Sequence, residues 1–299
     1  MILVTGATGR VGYPLLEALA DARADATAMV RVEAKGLDLP GPGENLVATF
    51  DDPPAADQLQ AFDRVFLLSP SSETQAELEI DFVDALVAAG HGPHVVKVAA
   101  NGFTDPGCDV RFMRSHLEIA RHLDASGLPV SYLAPSPYME TLLPAAQAIR
   151  SEATLYAPAG HGKVGFVAAA DVADAAARLL TSPAPEAGAD PQVFTLTGPE
   201  SLTYPNVASR ISEVFARQVR YSNLPDEQAR EELLGSGMAP WDVEGTLELF
   251  AWIRAGGAGQ LTSHVREVTG HAPRGLTDWL EGSRAAFLEP LLDGPAPTY

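Results

Sequence analysis

The segment Gly6-Ala7-Thr8-Gly9-Arg10-Val11-Gly12 follows the apolar run Ile2-Leu3-Val4 and opens an amphipathic stretch from Val11 to Leu19. This order of strand, glycine turn and helix constrains the fold more than any other feature. A buried parallel strand reads as a short unbroken apolar run, and glycines let the chain turn tightly into the helix that follows. The helix then aims free backbone N–H groups outward, with the macrodipole favouring an anion such as a pyrophosphate. Gly6, Thr8, Gly9, Arg10, Val11 and Gly12 are therefore candidate dinucleotide contacts. A ligand-free Gly-rich turn is the alternative.

The second strand, Ala26 to Val30, ends in Arg31, with Lys35 close behind and no carboxylate before Glu33. In dinucleotide folds an acidic residue here holds a ribose 2′-hydroxyl, whereas Arg accommodates a 2′-phosphate. The guanidinium fork suits phosphate oxygens. The chain has 20 Lys plus Arg against 39 Asp plus Glu, so two cations at this spot point to NADP(H) rather than NAD(H). Ordinary solvated loop cations are the other reading.

The net charge of −19 opposes contact with nucleic acid or an anionic membrane surface. The single Cys108 excludes an internal disulfide and a multi-thiolate metal site, and its acidic neighbours disfavour a thiolate. The first strand begins at Ile2 with no leader before it, and no apolar run reaches a membrane span. A cytoplasmic protein is expected, and the Ala-, Gly- and Pro-rich composition resembles that of a GC-rich bacterium. A homodimer is left open.

Strand and helix signals alternate through the first half. Strands are expected at Val47–Phe50, Val65–Leu68, Val95–Val98 and Val130–Ala134, and helices at Glu77–Ala89 and Asp109–Ala125. The second half adds a helix at Asp171–Leu180, a strand at Val193–Leu196 and a helix from Thr203, its N-cap, to Ala216. From Leu224 only helical patterns follow: Asp226–Leu234, Pro240–Arg254 and Leu276–Phe287. Gly294–Tyr299 reads as a frayed tail. The expected class is α/β, a Rossmann-type doubly wound parallel sheet with a smaller, mainly helical C-terminal lobe. Residues 1–135, joined by about 164–197, form the dinucleotide core; 136–163 and 198–299 form a lid. Ligands on such sheets bind beyond the carboxyl ends of the strands. That adds Leu68, Ser69, Pro70, Ala99, Ala100, Asn101 and Pro135 to the candidate contacts.

The chain resembles the NmrA-like branch of the atypical short-chain dehydrogenases/reductases, above all its bacterial quinone-reductase-like members. The likeness rests on the glycine segment, Val30-Arg31, Asp51-Asp52-Pro53, Phe66-Leu67-Leu68-Ser69-Pro70 and Val95-Val96-Lys97-Val98. It continues through Ser126-Gly127-Leu128-Pro129, Tyr138-Met139-Glu140, Asp171-Val172-Ala173 and Leu196-Thr197-Gly198-Pro199-Glu200. It implies NADP(H) across the sheet and a substrate or regulatory cleft between the lobes.

The departures also matter. No Tyr has Lys four positions on, so the common Tyr-x-x-x-Lys proton device is not available. Ala99 stands where relatives carry Ser, Leu133-Ala134-Pro135 where they carry Leu-Arg-Pro, and Ala48-Thr49 where they carry Gly-Asp near adenine. Thr49 is thus an adenine-side candidate. His116 lies where relatives place His or Lys facing the nicotinamide, on one helical face with Phe112, Ile119 and Leu123. It is the candidate catalytic acid, a core histidine being the alternative. Phe103, Phe112, Tyr138 and Trp241 are candidate substrate-side rings; the Trp241–Trp252 run reads as lid packing or a stacking surface. His91, His94 and His122 lack metal-ligand spacing. Asp226, Glu227, Glu231 and Glu232 read as a solvated helix face.

The expected activity is NADPH-dependent reduction of a quinone, enone or similar conjugated small molecule. The alternatives are a non-catalytic NADP(H) sensor acting on a partner protein, or a non-redox biosynthetic enzyme.

Overall fold

The apolar runs become strands whose alternate residues face opposite layers. The computed structural model describes residues 1–33, 38–41 and 45–288. Strands β1 (Ile2–Val4), β2 (Ala26–Val30), β3 (Leu46–Val47), β4 (Arg64–Leu67), β5 (His94–Val98) and β6 (Val130–Pro135) lie in one sheet. Two short strands, β7 (Thr154–Ala157) and β8 (Lys163–Val164), precede β9 (Gln192–Leu196), which closes that sheet. The order β3-β2-β1-β4-β5-β6-β9 is parallel throughout. Strand order therefore reverses beside β1, the place where doubly wound sheets open a ligand crevice.

One face of the sheet offers Ile2, Val4, Phe66, Val96 and Val98 to helices α1 (Gly12–Asp21) and, further along the chain, 169–181. The other offers Leu3, Val65, Leu67, Val95 and Ala99 to a layer that begins with α2 (Ala56–Leu59) and consists mainly of α3 (Gln75–Ala89) and α4 (Arg111–Ser126). Period-two alternation puts Lys97 on this second face, with Val95 and Ala99.

A separate core includes Met139, Leu155, Phe166, Tyr204, Ile211 and Leu280. In chain order the remaining elements are a 3₁₀ turn at Met139–Ala145, α5 (Ala146–Glu152), α6 (Ala169–Thr181), which packs on the sheet, β10 (Leu202–Thr203), α7 (Tyr204–Phe215), β11 (Arg220–Asn223), α8 (Asp226–Gly235), which packs in a smaller cluster with Val243 and Leu247, and α9 (Pro240–Arg254). Then come α10 (His264–Thr269), α11 (Leu276–Gly282) and α12 (Arg284–Leu288). Thr203 caps α7, accepting from the Asn206 N–H. Antiparallel β8–β10 and parallel β7–β11 pairs are additions that periodicity did not reveal, because two to four residues carry too little pattern.

Three other expectations are corrected. The third strand stops at Val47, because Thr49 turns back onto Asp52, whose N–H donates to Thr49 Oγ1 at 2.9 Å. The helix expected over 276–287 breaks at Ser283 into α11 and α12. Helix α10 was not foreseen. Lys35 and the Gly294–Tyr299 segment lie outside the described residues.

Candidate active site

The glycine loop is fixed from below and open above. The Thr5 hydroxyl accepts from the Leu68 N–H at 2.8 Å, with the Phe66 and Leu68 carbonyls both 3.0 Å away, so the end of β1 is bolted to β4. Gly6 has φ +60°, and a Cβ there would lie 2.7 Å from the Leu68 carbonyl oxygen. A Cβ on Gly12 would lie 2.1 Å from the Gly6 oxygen, so α1 can approach the loop only as glycine. Gly9 differs: its added Cβ would meet only the Gly6 oxygen, at 3.1 Å, and both Thr8 and Gly9 are exposed. Protein packing alone gives little reason for glycine at 9, whereas a pyrophosphate lying on the loop gives one. No side chain caps α1 at its N-cap Val11. The cradle therefore fits the phosphate portion of a dinucleotide.

Arg31 is exposed at the end of β2, and Thr49 is half-buried beyond β3. Arg10 reaches across the mouth, its guanidinium carbon 5.8 Å from the centre of the Tyr138 ring. Burial pushes the Tyr138 phenol up, with Arg10 opposing. On the other side of the crossover, Asn101 donates from its backbone N–H to the Pro135 carbonyl at 2.9 Å and from Nδ2 to Ser136 Oγ at 3.0 Å. Ala99 is buried, Ala100 half-buried and Pro70 exposed.

Beneath this edge lies a buried ionic cluster. Lys97 and Glu79, each about 1% exposed or less, form an ion pair with Nζ 2.8 Å from Oε2 and 3.1 Å from Oε1. Glu79 Oε1 also accepts from the Ser69 hydroxyl at 2.7 Å, the Ser69 N–H at 3.3 Å and Gln75 Nε2 at 3.3 Å. Ser69 thus turns inward to α3. Burial lowers the Lys97 pKa, opposed by Glu79. His116 of α4 is buried as well, its pKa held well below the ordinary value by burial first and by the Lys97 charge second. Its ring makes no hydrogen bond among the described residues; Nδ1 is enclosed without a partner, whereas Nε2 is not enclosed. The inward face expected of α4 is present, but the residue arrives neutral.

The aromatic candidates divide. Phe103 is 2% exposed and packs on Tyr132 at 5.6 Å, so its ring belongs to the core rather than to a ligand surface. Phe112 and Trp241 meet edge to face at 5.3 Å, and Arg111 stacks on Trp241 while gripping Glu248 through two guanidinium bonds of 3.0 and 2.7 Å. They join α4 to α9, with Gly245 leaving space for the Phe112 ring.

His94 is buried between Arg64 and Ser131, and burial followed by the Arg64 charge lowers its pKa to about 4. His122 pairs with Asp84, and His91 meets the Phe62 carbonyl. Asp171, Asp174 and His271 do converge, but Arg274 bridges both carboxylates. Two surface depressions, of about 470 and 360 Å³, include neither a glycine-loop residue nor His116. The candidate site is defined by the polar geometry of the strand ends and not by these two depressions. Lys97, Glu79 and Ser69 form a cluster that sequence reading did not assemble. The available signal was a lysine inside an otherwise apolar central strand.

These features define a Rossmann-type α/β protein whose carboxyl edge carries a glycine cradle that fits a dinucleotide phosphate. The NmrA-like family model matches residues 1–268, and the chain belongs to that family. It is 32% identical over 291 residues to an NAD(P)H azoreductase of Xenophilus azovorans, covering 96% of this chain and 99% of that one. It is 30% identical over 292 residues to a (4-alkanoyl-5-oxo-2,5-dihydrofuran-3-yl)methyl phosphate reductase of Streptomyces griseus, covering 96% and 99%. The fold superposes on an Escherichia coli NADPH-dependent quinone oxidoreductase complexed with NADPH, with a TM-score of 0.83, 23% identity and coverage of 94% and 99%. Among the described residues, no helix is long and apolar enough to cross a membrane.

Proposed function

We propose that the protein is an NADP(H)-dependent reductase of a conjugated small molecule, a quinone, enone or azo-type acceptor, working in the cytoplasm. The carrying observation is an open glycine cradle at the carboxyl edge together with a buried histidine, His116, on the inner face of α4. Two relatives matched along nearly their full length are named as reductases. In this reading residues 1–135 with 164–197 hold the dinucleotide, and 136–163 with 198–299 form the substrate side.

Gly6, Thr8, Gly9, Arg10, Val11 and Gly12 receive the pyrophosphate, and Arg31 with Lys35 the 2′-phosphate. Thr49 borders the adenine; Leu68, Ser69, Pro70, Ala99, Ala100, Asn101 and Pro135 line the path to the nicotinamide. When bound, that ring supplies hydride. Phe112, Trp241 and Tyr138 offer apolar surface to a flat acceptor, while Phe103 supports them from the core. His116 is the proton donor, acting through Nε2. Hydride addition to a conjugated acceptor leaves a stabilised anion, so the Tyr–Lys device is dispensable.

The test is stoichiometric NADPH oxidation across a panel of quinones, enones and azo compounds, with calorimetric titration of NADPH and NADH. NADPH binding with no turnover on any acceptor would favour a cofactor-binding sensor instead.

A further inference from the structure

The β4–β5 ladder runs from the Arg64/His94 pair to the Leu67/Lys97 pair and ends there. On the other flank of β5 the backbone bonds continue, from the Ala99 N–H to the Leu133 carbonyl at 2.7 Å and from the Asn101 N–H to the Pro135 carbonyl at 2.9 Å. Among the described residues no backbone bond joins 68–70 to 98–101. What links these two segments is a bridge of buried side chains.

Glu79 of α3 is the centre of that bridge. Its Oε1 accepts from the Ser69 hydroxyl at 2.7 Å and from the Ser69 N–H at 3.3 Å. Lys97 Nζ lies 2.8 Å from its Oε2 and 3.1 Å from its Oε1, and also donates to the carbonyl of Val98, the last residue of β5. Gln75, one turn earlier on α3, donates to the same Oε1 at 3.3 Å. Leu68 is meanwhile pinned to β1 through the Thr5 hydroxyl. The end of β4 is thus fixed on one side at the base of the glycine loop and on the other by the Glu79–Lys97 pair.

Stability does not account for this arrangement. Taking two charges out of water costs about as much as their attraction returns, and apolar residues of similar volume are often neutral or stabilising in place of such a pair. A charged hydrogen-bond cluster supplies geometry instead, because its donors and acceptors are held at short, directed contacts. Ser69 cannot move away from Lys97 without breaking them.

We propose that Glu79 and Lys97 are positioning residues that set the spacing between Ser69–Pro70 and Val98–Asn101, and so shape the slot for the nicotinamide half of the dinucleotide. This role presupposes the NADP(H) reading. Neither side chain meets the cofactor, since both are enclosed. They act through Ser69 and the Val98 peptide.

The test compares two ligands by calorimetry: NADPH, and adenosine 2′,5′-bisphosphate, which carries the adenine and the 2′-phosphate but no nicotinamide. Glu79→Leu/Lys97→Met removes the bridge and leaves no buried charge. Its affinity for NADPH should fall about tenfold, the scale of one charged hydrogen bond, while the bisphosphate binds as to wild type. A ratio of the two affinities equal to that of wild type overturns the positioning role, and so does an equal loss on both ligands, which would show general damage to the fold.

Ser69→Ala supplies a second variant that disturbs no charge. Its NADPH affinity should fall about fivefold, again with the bisphosphate unmoved, and an unchanged ratio overturns the proposal. Added to the double variant, Ser69→Ala should cost nothing further, within about twofold, because Ser69 acts through Glu79. A further fivefold loss would show that Ser69 touches the cofactor directly, and would likewise overturn it. These are binding measurements, so they hold whether or not any acceptor is reduced. If the wild-type protein binds neither ligand, or NADPH no more tightly than the bisphosphate, the NADP(H) reading itself fails and the positioning role falls with it.

Discussion

The half of the carboxyl edge built by β1, α1 and β2 is open and carries its cations outward, whereas the half built by β4, β5, α3 and α4 is closed around internal charge. Thr8, Gly9 and Arg31 face outward, and the end of α1 has no capping side chain. Glu79 and Lys97 are almost fully enclosed. The open half is suited to receive an anion from solvent with backbone groups and a guanidinium. The closed half keeps its charges in low dielectric, where each strongly affects its neighbours' protonation. Outward-facing and enclosed charge are thus separated across the β1/β4 crossover.

Breaking the closed half should have the largest effect on stability. Lys97→Met leaves an uncompensated buried carboxylate and should cost about 3–5 kcal/mol. The Glu79→Leu/Lys97→Met pair should recover much of that loss, read as the urea midpoint. A single variant as stable as wild type would mean that the pair is not truly enclosed.

The open half should break in the opposite way. Gly9→Val should weaken NADPH binding by roughly 10²-fold, about 2.7 kcal/mol. Its thermal midpoint should stay close to wild type, because the added Cβ meets only one backbone oxygen, at 3.1 Å. Gly12→Val should lose both stability and binding, since its Cβ would overlap the loop at 2.1 Å. Calorimetry alongside thermal unfolding separates the two glycines.

Arg31→Ala sharpens the comparison further. Loss of one charged hydrogen bond should cost NADPH about 1.5–3 kcal/mol and NADH much less. Equal losses would remove the 2′-phosphate from the Arg31 assignment.

The smallest effect belongs to acid stability. The folded His94 pKa, about 4, lies below the unfolded value of about 6.5. At intermediate pH the unfolded chain therefore binds more protons, so stability rises with pH there. The contribution is complete above about pH 6.5 and is lost as pH falls toward 4, with His116 adding in the same direction. Urea midpoints between pH 4.5 and 7 should flatten in His94→Gln, by about 1–2 kcal/mol over the window.

The legible part of the site was the part written in consecutive residues. Gly6 through Gly12, the Val30-Arg31 strand end and the Thr203 cap each carry their meaning in local order. The inward stripe of α4 followed from helical spacing and placed His116 correctly on a buried face. Its neutrality did not follow, because it depends on burial and on the charge of Lys97. Phe103 illustrates the converse: one aromatic near a strand end looks like a ligand wall until Tyr132 is seen packed against it.

The sequence by itself determined the parallel sheet, the glycine cradle and the outward cation at the end of β2. Those depend on period-two and period-3.6 patterns and on backbone freedom at named glycines, all encoded within a few residues of each other. Only the tertiary structure decided that Ser69 would turn inward to Glu79, that Glu79 would meet Lys97 and that His116 would be buried in the field of that lysine. These residues come from two strand ends and two helices, and they share one layer only because the sheet pleat turns Lys97 toward the side that contains both α3 and α4. Their charges matter so much because that layer excludes water.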